Sequence, residues 1–141
     1  MAKSQAPMIS LVLITTSLLL ALPTLGFNGE VRRDCPEDCH CHYSRINWVT
    51  DCSESNLTAI PFEGLDPDVY VLDMNGNNIE QIEPFPLNST FKDDEIKLRR
   101  LQMAHNKITE LRHESFAGLK YLLDADFSYN EIHYVDPDAF R

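Results

Sequence analysis

The hydrophobic positions in the second half of the chain repeat around three asparagines, Asn77, Asn106 and Asn130. Each asparagine stands in a block of the form LxxLxLxxNxLxxL, and the blocks are 29 and 24 residues apart. The segments LDM, LQM and ADF before the asparagines place a polar residue between two apolar ones, which is typical of a strand buried on one face. This spacing predicts a solenoid of stacked turns, each contributing one short strand.

The predicted interior consists of apolar columns that recur in all three blocks. The columns are Val69, Leu98, Leu122; Leu72, Leu101, Ala125; Met74, Met103, Phe127; Ile79, Ile108, Ile132; Ile82, Leu111, Val135; and Leu87, Phe116, Phe140. The cysteine segment enters the same register one turn earlier, with Ser55 at the asparagine position, 22 residues before Asn77. The asparagine amides are expected to satisfy backbone groups of their own turn and of the adjacent turn.

The N-terminus has the layout of a secretory signal peptide. An apolar run from Met8 to Leu22 follows the single charge of Lys3 and precedes small residues that end at Gly26. The run is shorter than the roughly 20 apolar residues that span a bilayer, and no other run in the chain comes closer. We therefore predict a signal peptide at 1–26, a linker at 27–34, no membrane span and a secreted product.

Four cysteines, Cys35, Cys39, Cys41 and Cys52, are grouped near the predicted start of the mature chain. In the oxidising secretory route an even number of cysteines favours two disulfides, and three pairings are compatible with four cysteines. The nearby His40 and His42 raise the alternative of a zinc site. Zinc needs reduced thiolates, which the signal peptide argues against, so no metal is expected.

Composition and motifs argue against several classes of function. The chain has 22 Asp and Glu against 12 Lys and Arg, a formal net charge of -10, which disfavours nucleic acid as a partner. It contains no nucleophile elbow, zinc motif or phosphate loop, and its histidines differ in position from turn to turn. We expect neither an enzyme nor a cofactor.

Two motifs together resemble the extracellular leucine-rich repeat family. One is the asparagine block, and the other is the pattern C-x3-C-x-C-x10-C followed by LTAIP, which looks like that family's N-terminal cysteine-rich flank. The resemblance implies an α/β solenoid: a leucine-rich repeat horseshoe segment with short parallel strands on its concave face and a disulfide-stapled N-terminal cap. It also implies the pairings Cys35 with Cys41 and Cys39 with Cys52.

In this register the chain divides into a cysteine-rich cap at 35–66 and three repeats at 67–97, 98–121 and 122–141. The first repeat carries an insertion loop, and the third is expected to be incomplete at the C-terminus. The loop is polar and contains a glycosylation sequon at Asn88, and a second sequon stands at Asn56 in the cap. Both asparagines are candidate glycosylation sites.

The family architecture implies binding through the outward side chains of the concave strands. The candidate partner-binding residues are Asp73, Asn75, Arg100, Gln102, His105, Asp124, Asp126 and Tyr129. Asp51 and Asp73 are expected to stand side by side, which invites a basic partner or a cation. We expect a recognition module that binds an extracellular or cell-surface protein. We also expect the chain to be the N-terminal piece of a longer receptor or adhesion protein. That longer protein would be located at the cell surface if a membrane anchor follows. The alternative is a structural matrix component or a non-catalytic subunit of a secreted complex.

Overall fold

A computed structural model of the protein describes residues 33–86 and 96–140. The predicted signal peptide, most of the predicted linker, Leu87, and the insertion loop after Pro86 with the Asn88 sequon lie outside these residues. No helix in the described ranges is long and apolar enough to cross a membrane.

Seven strands and one short helix form in the described residues. The strands are β1 (His40–Ser44), β2 (Asn47–Asp51), β3 (Val69–Asp73), β4 (Arg100–Gln102), β5 (Glu110–Leu111), β6 (Asp124–Asp126) and β7 (Tyr134–Val135), and the helix is a 3-10 turn at His113–Phe116. Five strands make one sheet in the order β1-β2-β3-β4-β6, and β5 pairs with β7 in a second sheet. All pairs are parallel except the β1-β2 hairpin. The predicted solenoid is confirmed, with its helical part reduced to that single turn among the described residues.

The predicted apolar columns form the core of the first two asparagine turns. Leu72 and Leu101 stack on neighbouring strands and are fully buried, as are the methionines and isoleucines that follow them. In the third turn the same columns are only partly covered, and Val135 and Phe140 are 51% and 58% exposed. The prediction that these two residues lie inside is therefore wrong, because β6 and β7 are the last strands of their sheets and no further described turn packs against them.

The three asparagines bridge successive turns through hydrogen bonds that are buried or partly buried. Asn106 donates from its Nδ2 to the carbonyl of Met103 in its own turn (3.2 Å) and to that of Met74 in the preceding turn (2.9 Å). Its Oδ1 accepts the backbone N–H of Ile79 (3.1 Å). Asn77 and Asn130 repeat this arrangement one turn before and one turn after. The side-chain amides therefore satisfy backbone groups that the strands leave without a partner.

Two disulfides, Cys35–Cys41 and Cys39–Cys52, hold the N-terminal cap. This is the pairing that the family resemblance implied, and it leaves no free thiol for the zinc alternative. Strand β1 extends the parallel sheet as an antiparallel hairpin with β2, a feature that the repeat pattern did not predict.

The predicted linker contains a residue, Arg33, that belongs to the cap. The guanidinium of Arg33 pairs with Asp66 (3.1 Å) and Asp68 (2.9 Å) and lies over the rings of Tyr43 and Trp48. The hydrogen bond to Asp68, then that to Tyr43, raises the pKa of Arg33 above its ordinary value. The ordered cap thus begins at least two residues before the first cysteine.

Candidate functional site

Most of the candidate partner-binding residues lie on one exposed face, that of strands β2, β3, β4 and β6, which we call the sheet face. The strand register aligns Val71 with Arg100 and Asp124. Two residues further along the strands it aligns a row that runs across all four of them: Asp51, Asp73, Gln102 and Asp126. Adjacent members of a row are about 4.8 Å apart. Asp51 therefore neighbours Asp73, as the repeat register predicted.

The aspartates of this row also close the ends of their strands. The Oδ1 atoms of Asp51, Asp73 and Asp126 each accept the backbone N–H of the residue two positions later, at 3.0, 3.0 and 2.9 Å. The donors are Ser53, Asn75 and Ser128. The repeated spacing Asp-x-Ser or Asp-x-Asn was present in the sequence and indicates this turn. The row therefore has a structural role in addition to its predicted role in binding.

Strand β4 lacks this aspartate, and a side chain of the preceding turn accepts the corresponding backbone hydrogen bond instead. At the equivalent position stands Gln102, and the backbone N–H of Ala104 donates instead to the side-chain oxygen of Asn75, at 2.7 Å. Asn75 thus supplies from the preceding turn the acceptor that β4 lacks. Ala104 is 6% exposed at this contact.

The pKa of Asp73 is shifted in the opposite direction from the pKa values of Asp51 and Asp126. Burial raises the pKa of Asp73, and the charge of Asp51 adds to this, while the N–H of Asn75 partly opposes it. Hydrogen bonds from Ser53 lower the pKa of Asp51, and those from Ser128 lower the pKa of Asp126. Asp73 is the member of the row whose negative charge is least favourable.

Replacing Asp73 with asparagine is expected to raise Tm at pH 7 by a few degrees at most. The pKa of this carboxyl is higher in the native than in the unfolded state, so its ionisation costs stability as the pH rises through the aspartate range near about 4. The gain should therefore disappear at about pH 3, where both states are protonated. Thermal unfolding followed by circular dichroism at both pH values measures it.

The matched control for that substitution is Asp126→Asn. The native pKa of Asp126 is lowered, so its charge favours folding at pH 7 and its removal should reduce Tm there. Equal losses of Tm in the two variants at pH 7 would contradict the opposite pKa directions.

Two contacts link side chains of adjacent turns on the sheet face. Arg100 Nε lies 3.1 Å from a carboxylate oxygen of Asp124 on an exposed part of the surface. The rings of His105 and Tyr129 stack with centroids 4.3 Å apart and planes 6° apart. The structure thus brings four of the predicted binding residues together in two exposed pairs.

Sequence reasoning missed four of the residues that flank this face: His40, His42, Glu54 and Gly76. Strand β1 places His40 opposite Asp51 and His42 opposite Val49, so the face has a histidine edge that the repeat pattern could not show. Glu54 and Gly76 stand directly before Ser55 and Asn77, the position that His105 and Tyr129 occupy in later turns. Their shared position, one residue before the asparagine or its equivalent, was the sequence feature from which Glu54 and Gly76 could have been predicted to flank the face.

Metal and glycan sites were the remaining candidates. Across residues 33–86 and 96–140, no group of three or more His, Cys, Asp and Glu side chains has a metal-binding arrangement. Asn56 is exposed, and its Oδ1 accepts a hydrogen bond from Asn78 at 2.7 Å. Its glycosylation stays a prediction, as does that of Asn88 outside the described residues.

Comparisons with known proteins agree with this geometry. A profile of the family described as Leucine rich repeat matches residues 96–141. Leucine-rich repeat-containing G-protein coupled receptor 5 of Homo sapiens is 33% identical over 132 residues, which cover 91% of this chain and 14% of the receptor. Leucine-rich repeat-containing protein 3B of Danio rerio is 33% identical over 110 residues, which cover 75% of this chain and 40% of that protein. The chain therefore spans well under half the length of these relatives.

Among solved structures, human 5T4, also titled Wnt-activated inhibitory factor 1 or trophoblast glycoprotein, shares the fold. Its TM-score is 0.60 at 24% identity, covering 79% of this chain and 38% of that one. The repeat pattern, the parallel sheet with its asparagine bridges and the disulfides of the cap agree with these matches. The chain belongs to the leucine-rich repeat family and carries that family's cysteine-rich N-terminal flank.

Proposed function

We propose that this chain is a non-enzymatic recognition module of the extracellular space that binds a protein partner through its sheet face. The observation that carries the proposal is the continuity of that face across four parallel strands. Solenoids commonly use such extended surfaces for binding. One human relative is by name a receptor, which supports a role in recognition at the cell surface.

The side chains of the sheet face suit a polar protein surface. Charged and amide groups project from Arg100, Gln102 and Asp124, and the aromatic pair of His105 and Tyr129 lies at one edge. Tyr129 is 75% exposed. Tyrosine and arginine contribute disproportionately to protein interfaces when a partner covers them, so these two residues are the first to test.

Secretion is part of the same proposal. Supporting it are the signal-peptide pattern at 1–26 and two disulfides, which persist in oxidising compartments. Expression with the native N-terminus in animal cells, followed by N-terminal sequencing of protein in the medium, tests this step. Protein that stays inside the cells with Met1 intact would contradict it.

The double variant Arg100→Ala/Tyr129→Asn is expected to weaken partner binding at least about tenfold, since interface anchors of these types each contribute about 2 kcal/mol or more. Asparagine tolerates the left-handed backbone of Tyr129, whose φ is 55°, so the fold is kept. Binding of the purified protein to the surface of cells from its own tissue, measured by flow cytometry over a concentration series, provides the readout.

The matched control is Arg112→Ala/Tyr134→Asn, which removes an arginine and a tyrosine outside the five-stranded sheet. Arg112 is exposed and pairs with Glu110, and Tyr134 lies in β7. Binding that survives the first double variant and is lost in the second would reject the sheet face as the binding surface.

A further inference from the structure

One row of residues at the edge of the sheet face shares an unusual backbone. Glu54, Gly76, His105 and Tyr129, each one position before the asparagine or its equivalent, have φ values of 52°, 68°, 56° and 55°. Backbone hydrogen bonds hold them in register: Glu54 donates to the carbonyl of Asn75, Gly76 to that of Ala104 and His105 to that of Ser128. The four positions therefore form one ladder, spaced by successive turns.

One of the four positions of the ladder, Gly76, carries no side chain. His105 and Tyr129 fill adjacent positions with rings that stack in parallel. The next position along is Gly76, which has no side chain, so the ring of His105 borders an open cleft there. The cleft is lined by Ser53, Glu54, Asn75, Gly76 and His105, and we call it the Gly76 cleft.

Glu54 closes the other side of the Gly76 cleft. A Cβ atom added to Gly76 would lie 3.2 Å from Cγ of Glu54, so the stem of this glutamate already leans toward the empty position. The cleft between the Glu54 stem and the His105 ring is open, and a planar group can enter it between the carboxylate and the aromatic face.

The residues that line the Gly76 cleft favour the binding of a flat, positively charged group. A guanidinium can stack on the imidazole of His105 with one face and donate paired hydrogen bonds from its edge to the carboxylate of Glu54. The rest of the sheet face adds negative charge through Asp51, Asp73 and Asp126. An ammonium group has the charge but neither the flat surface nor the forked donors, so lysine fits less well.

We infer that the Gly76 cleft binds an arginine side chain presented by the protein partner. The inference rests on the proposed function, because it assigns one contact within the proposed interface. The arginine would extend the aromatic stack of Tyr129 and His105 by one layer and end at Glu54.

A titration of the isotope-labelled full chain with N-acetyl-arginine methylamide tests the cleft directly. Heteronuclear NMR should show saturable shifts of the Gly76 amide and of the His105 ring signals. The corresponding citrulline amide, which is flat and neutral, and the lysine amide, which is charged and not flat, should bind at least several-fold more weakly. Equal responses to citrulline or to lysine would overturn the assignment to arginine.

Two substitutions test whether the arginine probe binds in the Gly76 cleft. Gly76→Asn fills the missing position with the residue type that best tolerates a positive φ, and Glu54→Gln removes the carboxylate while keeping its shape. Each should weaken the arginine probe about tenfold, whereas Glu80→Gln, at an exposed position outside the cleft, should leave it unchanged. Unchanged probe binding in Gly76→Asn with an otherwise native spectrum would overturn the inference.

Cell binding by the same variants separates this inference from the proposed function. If Arg100→Ala/Tyr129→Asn weakens cell binding and Gly76→Asn and Glu54→Gln do not, the sheet face stands and the arginine contact is overturned. If all three weaken it, the arginine contact is supported. If none weakens it, the proposed function is overturned and the arginine contact with it.

Discussion

Replacing Asn106 with alanine is expected to lower the free energy of unfolding by about 2 to 4 kcal/mol, a large part of the total for a small domain. The buried N–H of Ile79 loses the side-chain acceptor that satisfies it, because Asn106 Oδ1 is removed. The carbonyl of Met74 loses one of its two amide donors and keeps Asn77. Urea unfolding followed by circular dichroism measures the change.

Asn78→Ala is the matched control for this substitution. Asn78 also donates a side-chain hydrogen bond between turns, to Asn56, but this contact is exposed, so water replaces it when it is lost. Its removal should cost no more than about 0.5 kcal/mol. A loss in Asn106→Ala as small as that in Asn78→Ala would show that the bridging asparagines do not hold the turns together.

Removing the disulfide between Cys39 and Cys52 with alanine at both positions is expected to cost about 3 kcal/mol. This bridge spans 13 residues and joins the two open ends of the β1-β2 hairpin, because Cys39 directly precedes β1 and Cys52, which is fully buried, directly follows β2. Loss of the crosslink enlarges the unfolded ensemble, and loss of the buried sulfur removes packing in the core. The expected result is a fall in Tm of more than about 10 °C by calorimetry.

The double variant Cys35→Ala/Cys41→Ala serves for comparison. Its bridge spans only 6 residues and begins at an exposed cysteine, so its removal should reduce Tm less. A larger loss in this second variant than in the first would mean that the cap is stabilised by its outer bridge and not through its contact with the core.

The stacked turns could be predicted because each apolar column repeats with the same offset from an asparagine. Leu72 and Leu101 lie side by side in the sheet, and Asp51 lies beside Asp73, as the register required. A shift of one residue would turn every apolar side chain to the exposed face, so the pattern specifies the register strongly. The core of the first two asparagine turns followed from this rule alone.

Features that depend on contacts between non-equivalent positions could not be predicted in this way. Asn75 covers the N–H of Ala104 only because β4 lacks an aspartate, and this exchange breaks the repeat that the sequence displays. The β1-β2 hairpin lies before the first repeat and leaves no periodic signal. The ladder of positive φ values was hidden because Glu54 and Tyr129 are not residues that signal a left-handed backbone.

The most direct test of the sheet face as the binding surface is site-specific photo-crosslinking on living cells. A benzophenone amino acid replaces Gln102, in the middle of the face, or Tyr134, in the second sheet. Irradiation of cells that have bound each protein should give a discrete crosslinked product from position 102 and none from position 134. A product from position 134 with none from position 102 would contradict binding through the sheet face.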